Sequence, residues 1–370
     1  MLGHLRFPVA HSSGRRYPEL CHPYRTDFQR DRDRIVHARA FRRLENKTQV
    51  FTAGISDHFR NRLTHTIEVA QLARTVAGVL DLDPDLTEAL ALAHDIGHPP
   101  FAHAGEAELN VQMRRFGDSF EHNTHSLRIV ESFEQRYARF PGLNLTFEVR
   151  EGILKHSRDF DPGESVVGDA YLPGLRPLLE AQLIDLADEI AYNTADLDDA
   201  CSAGLVGMDD IADAVPRYAE VRETVEMQFP GAPDRVRFLE SLRLVIDGLV
   251  TGLIEGTVAA AREAGVESYD GVRRFPTRLA RFTAQATATS AELKRFLHTR
   301  VYDSQALRED RVRSRAMIAE LFQQFLDHPD RMPEPYSDLA AREPAHRVVC
   351  DYIAGMTDGF FQRCYDKRRR

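Results

Sequence analysis

Apolar positions along this chain recur at intervals of three and four, and strict alternation is scarce. Side chains three and four apart share one face of an α-helix, whereas alternation marks a half-buried strand. In NRLTHTIEVAQLARTVAGVL (residues 61–80) one stripe runs Leu63, Ile67, Ala70, Ala73, Ala77 and Leu80, and a neighbouring one runs His65, Val69, Leu72, Val76 and Val79. Together they make one wide apolar face, so His65 is predicted to point inward. Next, DPDLTEALALAHDIGHPP predicts a helix capped by Asp85 with Glu88 three residues on, burying Leu86, Leu90 and Ala93 and ended by Gly97 and Pro99. His94 and Asp95 fall in its last turn. Further helices are predicted through EHNTHSLRIVESFEQRY, LLEAQLIDLADEIAYNTADLDDACSAG, DRVRFLESLRLVIDGLVTGLIEGTVAAAREAG, SAELKRFLHTRVYD, VRSRAMIAELFQQFLDHP and EPAHRVVCDYIAGMTDGFFQRCYD. RYARFPGLNLTFE, SRDFDPGESVVGDAYLPGLRP and DHPDRMPEPYSD, rich in Pro, Gly and Asp, read as loops. Runs of β-branched and aromatic residues are too short for a central sheet, so the fold class is all-α.

Composition narrows the class. Of 370 residues, 43% are apolar and 28% charged, as in globular proteins. No apolar run approaches the roughly 18 residues that span a bilayer, and MLGHLRFPVAHSSGRR lacks the apolar stretch of a secretory signal. Four cysteines stand far apart without CxxC spacing, which points away from a disulfide framework or a thiolate zinc site. A cytoplasmic location without membrane contact is expected. The net charge of -9 conceals an asymmetry: residues 1–48 carry 11 Lys and Arg against 5 Asp and Glu, and the remainder 37 against 52. This basic arm is either a solvated face with internal ion pairs or a surface for phosphates. The tail DKRRR reads as a solvated end.

The chemistry concentrates in one region. Eight of the 15 histidines (His58, His65, His94, His98, His103, His122, His125 and His156) lie between positions 58 and 156. Neutral imidazoles with one or two carboxylates and open positions are what a catalytic divalent ion needs. His65, the pair His94 and Asp95, and an aspartate of DLADEIAYNTADLDD can supply that set. Adjacent residues on a helix diverge by about 100°, so His94 and Asp95 share an ion only from a helix end, which Gly97 and Pro99 provide. Asp185 and Asp188, on the apolar side of their helix, are the candidates for the fourth ligand.

NRLTHT, AHDIGHPPFAHAGE and DLADEIAYNTADLDD resemble the H…HD…D signature of the HD-domain superfamily. HPYRTDFQRDRDRIVHARAFRRLENKTQVF, GLNLTFEVREGILKH and the late DYIAGMTD resemble its dGTP triphosphohydrolase-like branch. The resemblance runs from about residue 12 to 200 and resumes near 345. It implies an HD-domain helical core with additional C-terminal helices: a basic arm and first helix over 1–48, the phosphohydrolase core over 49–204, and a helical region packing on it over 205–370. It implies His65, His94, Asp95 and Asp188 as metal ligands, Asp188 being preferred to Asp185 because the family's aspartate stands four residues before a tyrosine, here Tyr192. His103 with Glu106 matches the catalytic pair, and His98 and His122 match positions facing the α-phosphate. Arg62 matches a phosphate contact, Gln49 and Asp196 match contacts to the sugar 3′-hydroxyl, and Tyr192 matches an aromatic that leaves no room for a 2′-hydroxyl.

The activity so implied is hydrolysis of deoxynucleoside triphosphates at the α-phosphate, giving deoxynucleoside and inorganic tripolyphosphate. The expected cofactor is Mn²⁺ or Mg²⁺, with Fe²⁺, Co²⁺, Ni²⁺ and Zn²⁺ compatible with the same donors. A homo-oligomer is expected, with a nucleotide or single-stranded DNA as possible effector. Two competing readings keep part of the pattern: an HD-type nucleotidase or phosphodiesterase acting on another phosphate ester, and a nucleotide-responsive nucleic-acid-binding protein with a silent site. His125 reads as a surface residue or a support for its neighbours, Asp198 and Asp199 as a solvated acidic face, and Lys155 and His156 either as phosphate-facing or as ordinary loop residues.

Overall fold

The computed structural model describes residues 1–50, 59–163 and 168–367. His58 and the last three arginines of the tail lie outside these. Among the described residues the regular structure is helical, with only isolated bridges such as Thr48–Asn61 in place of a sheet. The helices are α1 (Asp27–Val36), α2 (Arg39–Arg43), α3 (Arg62–Leu80), α4 (Pro84–Ala93), α5 (Ala102–Arg114), α6 (His122–Arg128), α7 (Phe147–Leu154) and α8 (Leu179–Ser202). There follow α9 (Met208–Ala214), α10 (Pro216–Gln228), α11 (Asp234–Ala264), α12 (Tyr269–Arg274), α13 (Ala284–Leu297), α14 (Gln305–Asp327), α15 (Tyr336–Ala340), α16 (Ala345–Ala354) and α17 (Asp358–Lys367).

Helices α3, α4 and α8 form the centre, with α1 packed on α4 and α11 on α8. The wide face predicted for α3 is buried at His65, Val69, Ala70, Leu72, Ala73, Val76, Ala77 and Leu80, while Ile67 and Val79 are exposed at its margins. The cap of α4 is Asp83 rather than Asp85. Its Oδ1 accepts from the N–H groups of Asp85 and Leu86 at 3.0 Å each, because Pro84 takes the first helical position and moves the start two residues back.

Other expectations shift at helix ends. The segment 343–366, predicted as one helix, breaks at Gly355–Thr357, where Thr357 Oγ1 accepts from Phe360 N and restarts the chain as α17. Helix α7 begins inside a segment read as a loop, and α5, α9 and α10 were not predicted. Helix α11 is by length and hydropathy able to span a bilayer, against the expectation of no such run. Half of its apolar window is buried inside the structure, and it packs against α3, α8, α10 and α13 as a core helix does.

Two apolar clusters organise the whole. One runs from Leu2 through α1–α4 and α6–α13 to Leu307 at the start of α14. The other joins Leu109 and Met113 of α5 to α14, α16 and α17. The basic arm is folded onto the first cluster and its charges are spent internally: Arg15 pairs with Asp31 at 2.5 Å and Asp27 at 3.0 Å, Arg34 with Glu19 at 2.7 Å, and Arg6 with Asp83 at 2.9 Å. The reading as a phosphate surface therefore fails for these arginines.

Candidate metal centre and substrate cavity

Three helices bring the ligand candidates to one point. His65 lies in the first turn of α3, whose cap Asn61 accepts from Thr64 N at 3.0 Å. His94 caps the C-terminus of α4 and Asp95 follows it, so the end of the helix lets adjacent side chains converge. Gly97 makes this turn possible: a Cβ there would lie 2.2 Å from the His122 carbonyl oxygen. Asp188 comes from the middle of α8, with its Oδ1 2.8 Å from His65 Nε2 and 3.8 Å from His94 Nε2. His94 Nδ1 lies 2.6 Å from the Ala91 carbonyl, which makes it the protonated nitrogen and leaves Nε2 its lone pair, buried and without a partner.

Asp185 turns elsewhere. Its Oδ1 accepts from Ser157 N at 2.9 Å and its Oδ2 pairs with Arg278. It also lies 2.8 Å from Nδ1 of His156, whose Nε2 is 3.9 Å from Asp188 Oδ2 and whose ring centroid is 5.1 Å from that of His94. His156 thus faces the ligand cluster, a placement that ILKHS alone could not reveal. Lys155 does not face it: its Nζ donates to Glu151 and to the carbonyls of Leu172 and Leu175.

The donor set suits a divalent ion. Ligand atoms of His65, His94 and Asp95 lie within 4.8 Å of one another, as do those of His94, His156 and Asp188. Burial keeps His94 and His98 below the usual imidazole range and so neutral. Burial alone would raise Asp95 and Asp188, yet His98, Arg62 and His94 outweigh it at Asp95, and His65 and His94 at Asp188, so both carboxylates are held low.

Beside this cluster lies the phosphate-type chemistry. Arg62 is 2% exposed and its Nη1 reaches Asp95 Oδ2 at 2.5 Å. The rings of His98 and His122 stack at 3.9 Å. Glu106 bonds to His122, whose backbone N–H and Nδ1 lie 2.9 and 2.8 Å from its Oε1. The expected His103–Glu106 pair is looser: His103 Nδ1 is 3.8 Å from Oε2 and its side chain is 83% exposed. Because α5 begins at Ala102, His103 sits on its solvent-facing first turn, while Glu106 comes round toward α6. Burial would raise Glu106, and the imidazoles of His103 and His122 hold it far below its ordinary value.

Of the twelve predicted site residues, all but His94 and Glu106 line one cavity of about 560 Å³, a size within the ~300–1,000 Å³ of small-molecule sites. Gln49 Oε1 is buried there without a partner. Tyr192 and Asp196 line the wall one helical turn apart, and burial pushes Asp196 up to about 7 against the opposing hydrogen bond from the Tyr302 hydroxyl. Tyr302, His298, Asp310 and Arg311 complete the wall. They were missed because nothing in their spacing ties residues near 300 to a motif that ends near 200.

Three surrounding residues correct the earlier picture. Asp198 and Asp199 are buried and pair with Arg60 at 2.9 and 2.8 Å rather than forming a solvated face. His125 is buried too, 3.4 Å from Asp351 Oδ1, so it supports α16 rather than the surface.

A histidine and aspartate cluster at the meeting of three helices, open on one side to a cavity with an arginine and stacked imidazoles, defines an HD-type phosphohydrolase. Residues 62–193 match the HD domain and residues 280–367 the phosphohydrolase-associated domain. The deoxyguanosinetriphosphate triphosphohydrolase-like protein of Geobacter sulfurreducens is 43% identical over 363 residues, covering 97% of this chain and 94% of its own. Those of Ralstonia nicotianae and Azoarcus sp. are each 46% identical, over 97% and 94% of this chain and 92% and 91% of theirs. The chain belongs to this family of deoxyguanosinetriphosphate triphosphohydrolase-like proteins.

Proposed function

We propose that the protein hydrolyses deoxynucleoside triphosphates at the α-phosphate, releasing deoxynucleoside and inorganic tripolyphosphate. The observation that carries this reading is the continuity of one cavity from the ligand cluster, past Arg62, His98 and His122, to Gln49, Tyr192 and Asp196. Its volume of about 560 Å³ lies within the range of small-molecule sites, and Gln49, Tyr192 and Asp196 are the residues we assign to the sugar.

A divalent ion held by His65, His94, Asp95 and Asp188 would supply Lewis-acid polarisation of a phosphate oxygen and an acidified water. The rest is done by the chain. Arg62 neutralises a non-bridging oxygen, and its burial strengthens that effect. His98 and His122 donate to the same phosphate group. As water adds to the α-phosphorus and the bond to the 5′-oxygen breaks, that oxygen needs a proton. His122, held by Glu106, delivers it, and His103 at the rim shares the same carboxylate. The unpaired Gln49 oxygen accepts from the sugar 3′-hydroxyl, and Tyr192 packs where a 2′-hydroxyl would stand.

The test is product analysis by anion-exchange chromatography with each dNTP and with GTP, in Mn²⁺ or Mg²⁺. Tripolyphosphate from dNTPs with little from GTP is the expected result. Release of orthophosphate from a monophosphate, or cleavage of a phosphodiester alone, would replace this substrate with another phosphate ester. No turnover, with metal-independent and steeply salt-dependent DNA binding, would replace it with a silent site.

A further inference from the structure

One carboxylate far along the chain holds two separate pieces of the cavity mouth. Asp358 opens α17, and its Oδ2 accepts from the Thr48 backbone N–H at 2.8 Å and from the Thr48 hydroxyl at 2.5 Å. Its Oδ1 accepts from the Phe101 N–H at 3.1 Å. Thr48 and Gln49 line the cavity on the side assigned above to the sugar, while Phe101, Ala102 and His103 form the entry to α5, which carries Glu106 one turn on.

Both pieces need holding. Phe101 and Ala102 have φ of 61° and 51°, a left-handed conformation that L side chains populate sparsely and that persists only where the surroundings impose it. Asp358 takes the N–H of the first of these residues, and the Phe101 ring lies edge-on to Phe361 of α17 at 5.1 Å. Gly105 presses against the same turn, since a Cβ there would lie 1.9 Å from the Pro100 carbonyl oxygen. On the other side, Thr48 bridges to Asn61, the cap of the helix that carries Arg62 and His65. Lys47, fully buried, donates to the carbonyls of His98 and of Ala354, so the same segment is fastened again between the HD part and α16.

We infer that Asp358 is a positioning residue for the proposed hydrolysis, one carboxylate setting the distance between the sugar-facing segment at Thr48–Gln49 and the turn that aims His103 and Glu106. Its place in the phosphohydrolase-associated region gives that region a part in the active site that contact with neither metal nor substrate would suggest. Only a carboxylate at this length fits: three donors converge on two oxygens, an asparagine offers one acceptor, and a glutamate is a methylene too long. The inference rests on the function proposed above, and the wild-type enzyme is the control for that dependence.

The experiment compares wild type, Asp358→Ala, Asp358→Asn and Thr48→Val as full chains, measuring bound Mn²⁺ by mass spectrometry and kcat and KM for tripolyphosphate release. Asp358→Ala is expected to keep its metal while kcat falls about 100-fold, the scale of a misplacement of roughly 1 Å at a reacting centre. Asp358→Asn, with one acceptor left, recovers part of that loss. Thr48→Val, which cuts only the sugar-side hydroxyl bond, raises KM more than it lowers kcat. A merely structural role would lower the folded fraction without this split. Metal-loaded Asp358→Ala with kcat and KM within twofold of wild type overturns the inference. If that variant does not fold, Asp358→Asn and Thr48→Val both within twofold overturn it. An inactive wild type overturns the function and this role together, whereas an active wild type with indifferent variants overturns this role alone.

Discussion

The two walls of the cavity are built in opposite ways. On the metal side, His65, His94 and Asp95 are all at most 5% exposed and are set by the ends and centres of packed helices within residues 62–193. On the substrate side, His103 is 83% exposed, and the wall is assembled from Gln49, the turn at Phe101 and the stretch from His298 to Ser314. The first wall is carried by core helices. The second is placed by single hydrogen-bonded clasps between distant segments. The geometry of the candidate ligands His65, His94 and Asp95 is thus protected by the burial that folds the protein, while the cavity mouth at Thr48–Gln49 and Phe101–His103 depends on a few polar contacts and is the easier of the two to alter.

That contrast gives a graded set of expectations. The largest effect belongs to the metal side. Asp188→Ala removes a proposed ligand and the partner of His65, so bound metal is expected to fall to background and kcat by more than about a thousandfold. Retained metal with retained turnover would remove Asp188 from the centre. Next come His122→Ala and His103→Ala, both expected to keep metal while kcat falls by about 10²–10⁴, the usual range for a lost acid-base group. The closer contact of His122 with Glu106 places it at the upper end of the range. Should His103→Ala cost more, the rim imidazole carries the proton and the half-buried His122–Glu106 pair only orients phosphate.

The smallest effect tests what supports the ligand wall. Glu180 on α8 is buried and accepts from the N–H groups of Phe7 and Asp83, tying α8 to the cap of α4. Burial pushes it up to about 7, above the ~4.3 of an exposed glutamate. The native state then keeps a proton that the unfolded chain has released, so the stability this group confers is full below about pH 4 and lost as the pH rises through 7. Glu180→Gln stays uncharged, and its stability relative to wild type should rise by on the order of 2–3 kcal/mol between about pH 5 and about pH 8. A difference in Tm that does not change with pH would show that Glu180 is ionised throughout.

The contrast also explains what was legible in the sequence. Periodicity placed His65 on the buried face of α3, and Gly97 announced the helix end that lets His94 and Asp95 converge. Such features are local, because a helix face and its terminus are written within one or two turns. His156, Tyr302 and Asp358 were not legible as site residues, since what places them is the docking of helices far apart in the chain. The pairing of Glu106 with His122 was missed for a related reason: spacing on α5 brings His103 and Glu106 to one side, but the approach of α6 decides which imidazole the carboxylate meets. The arm misled in another way, because a count of charges does not say that Arg15 and Arg34 find carboxylates within the fold.

The position of Asp358 has a consequence for the order in which the protein comes into being. A chain leaving the ribosome presents His65, His94, Asp95 and Asp188 long before α17 exists. As the proposed ligands, those residues would all be in hand while the mouth of the cavity is still unclasped. On the function and the role of Asp358 proposed above, metal loading and hydrolytic competence would be separate events in synthesis, the second waiting until the last helices have docked.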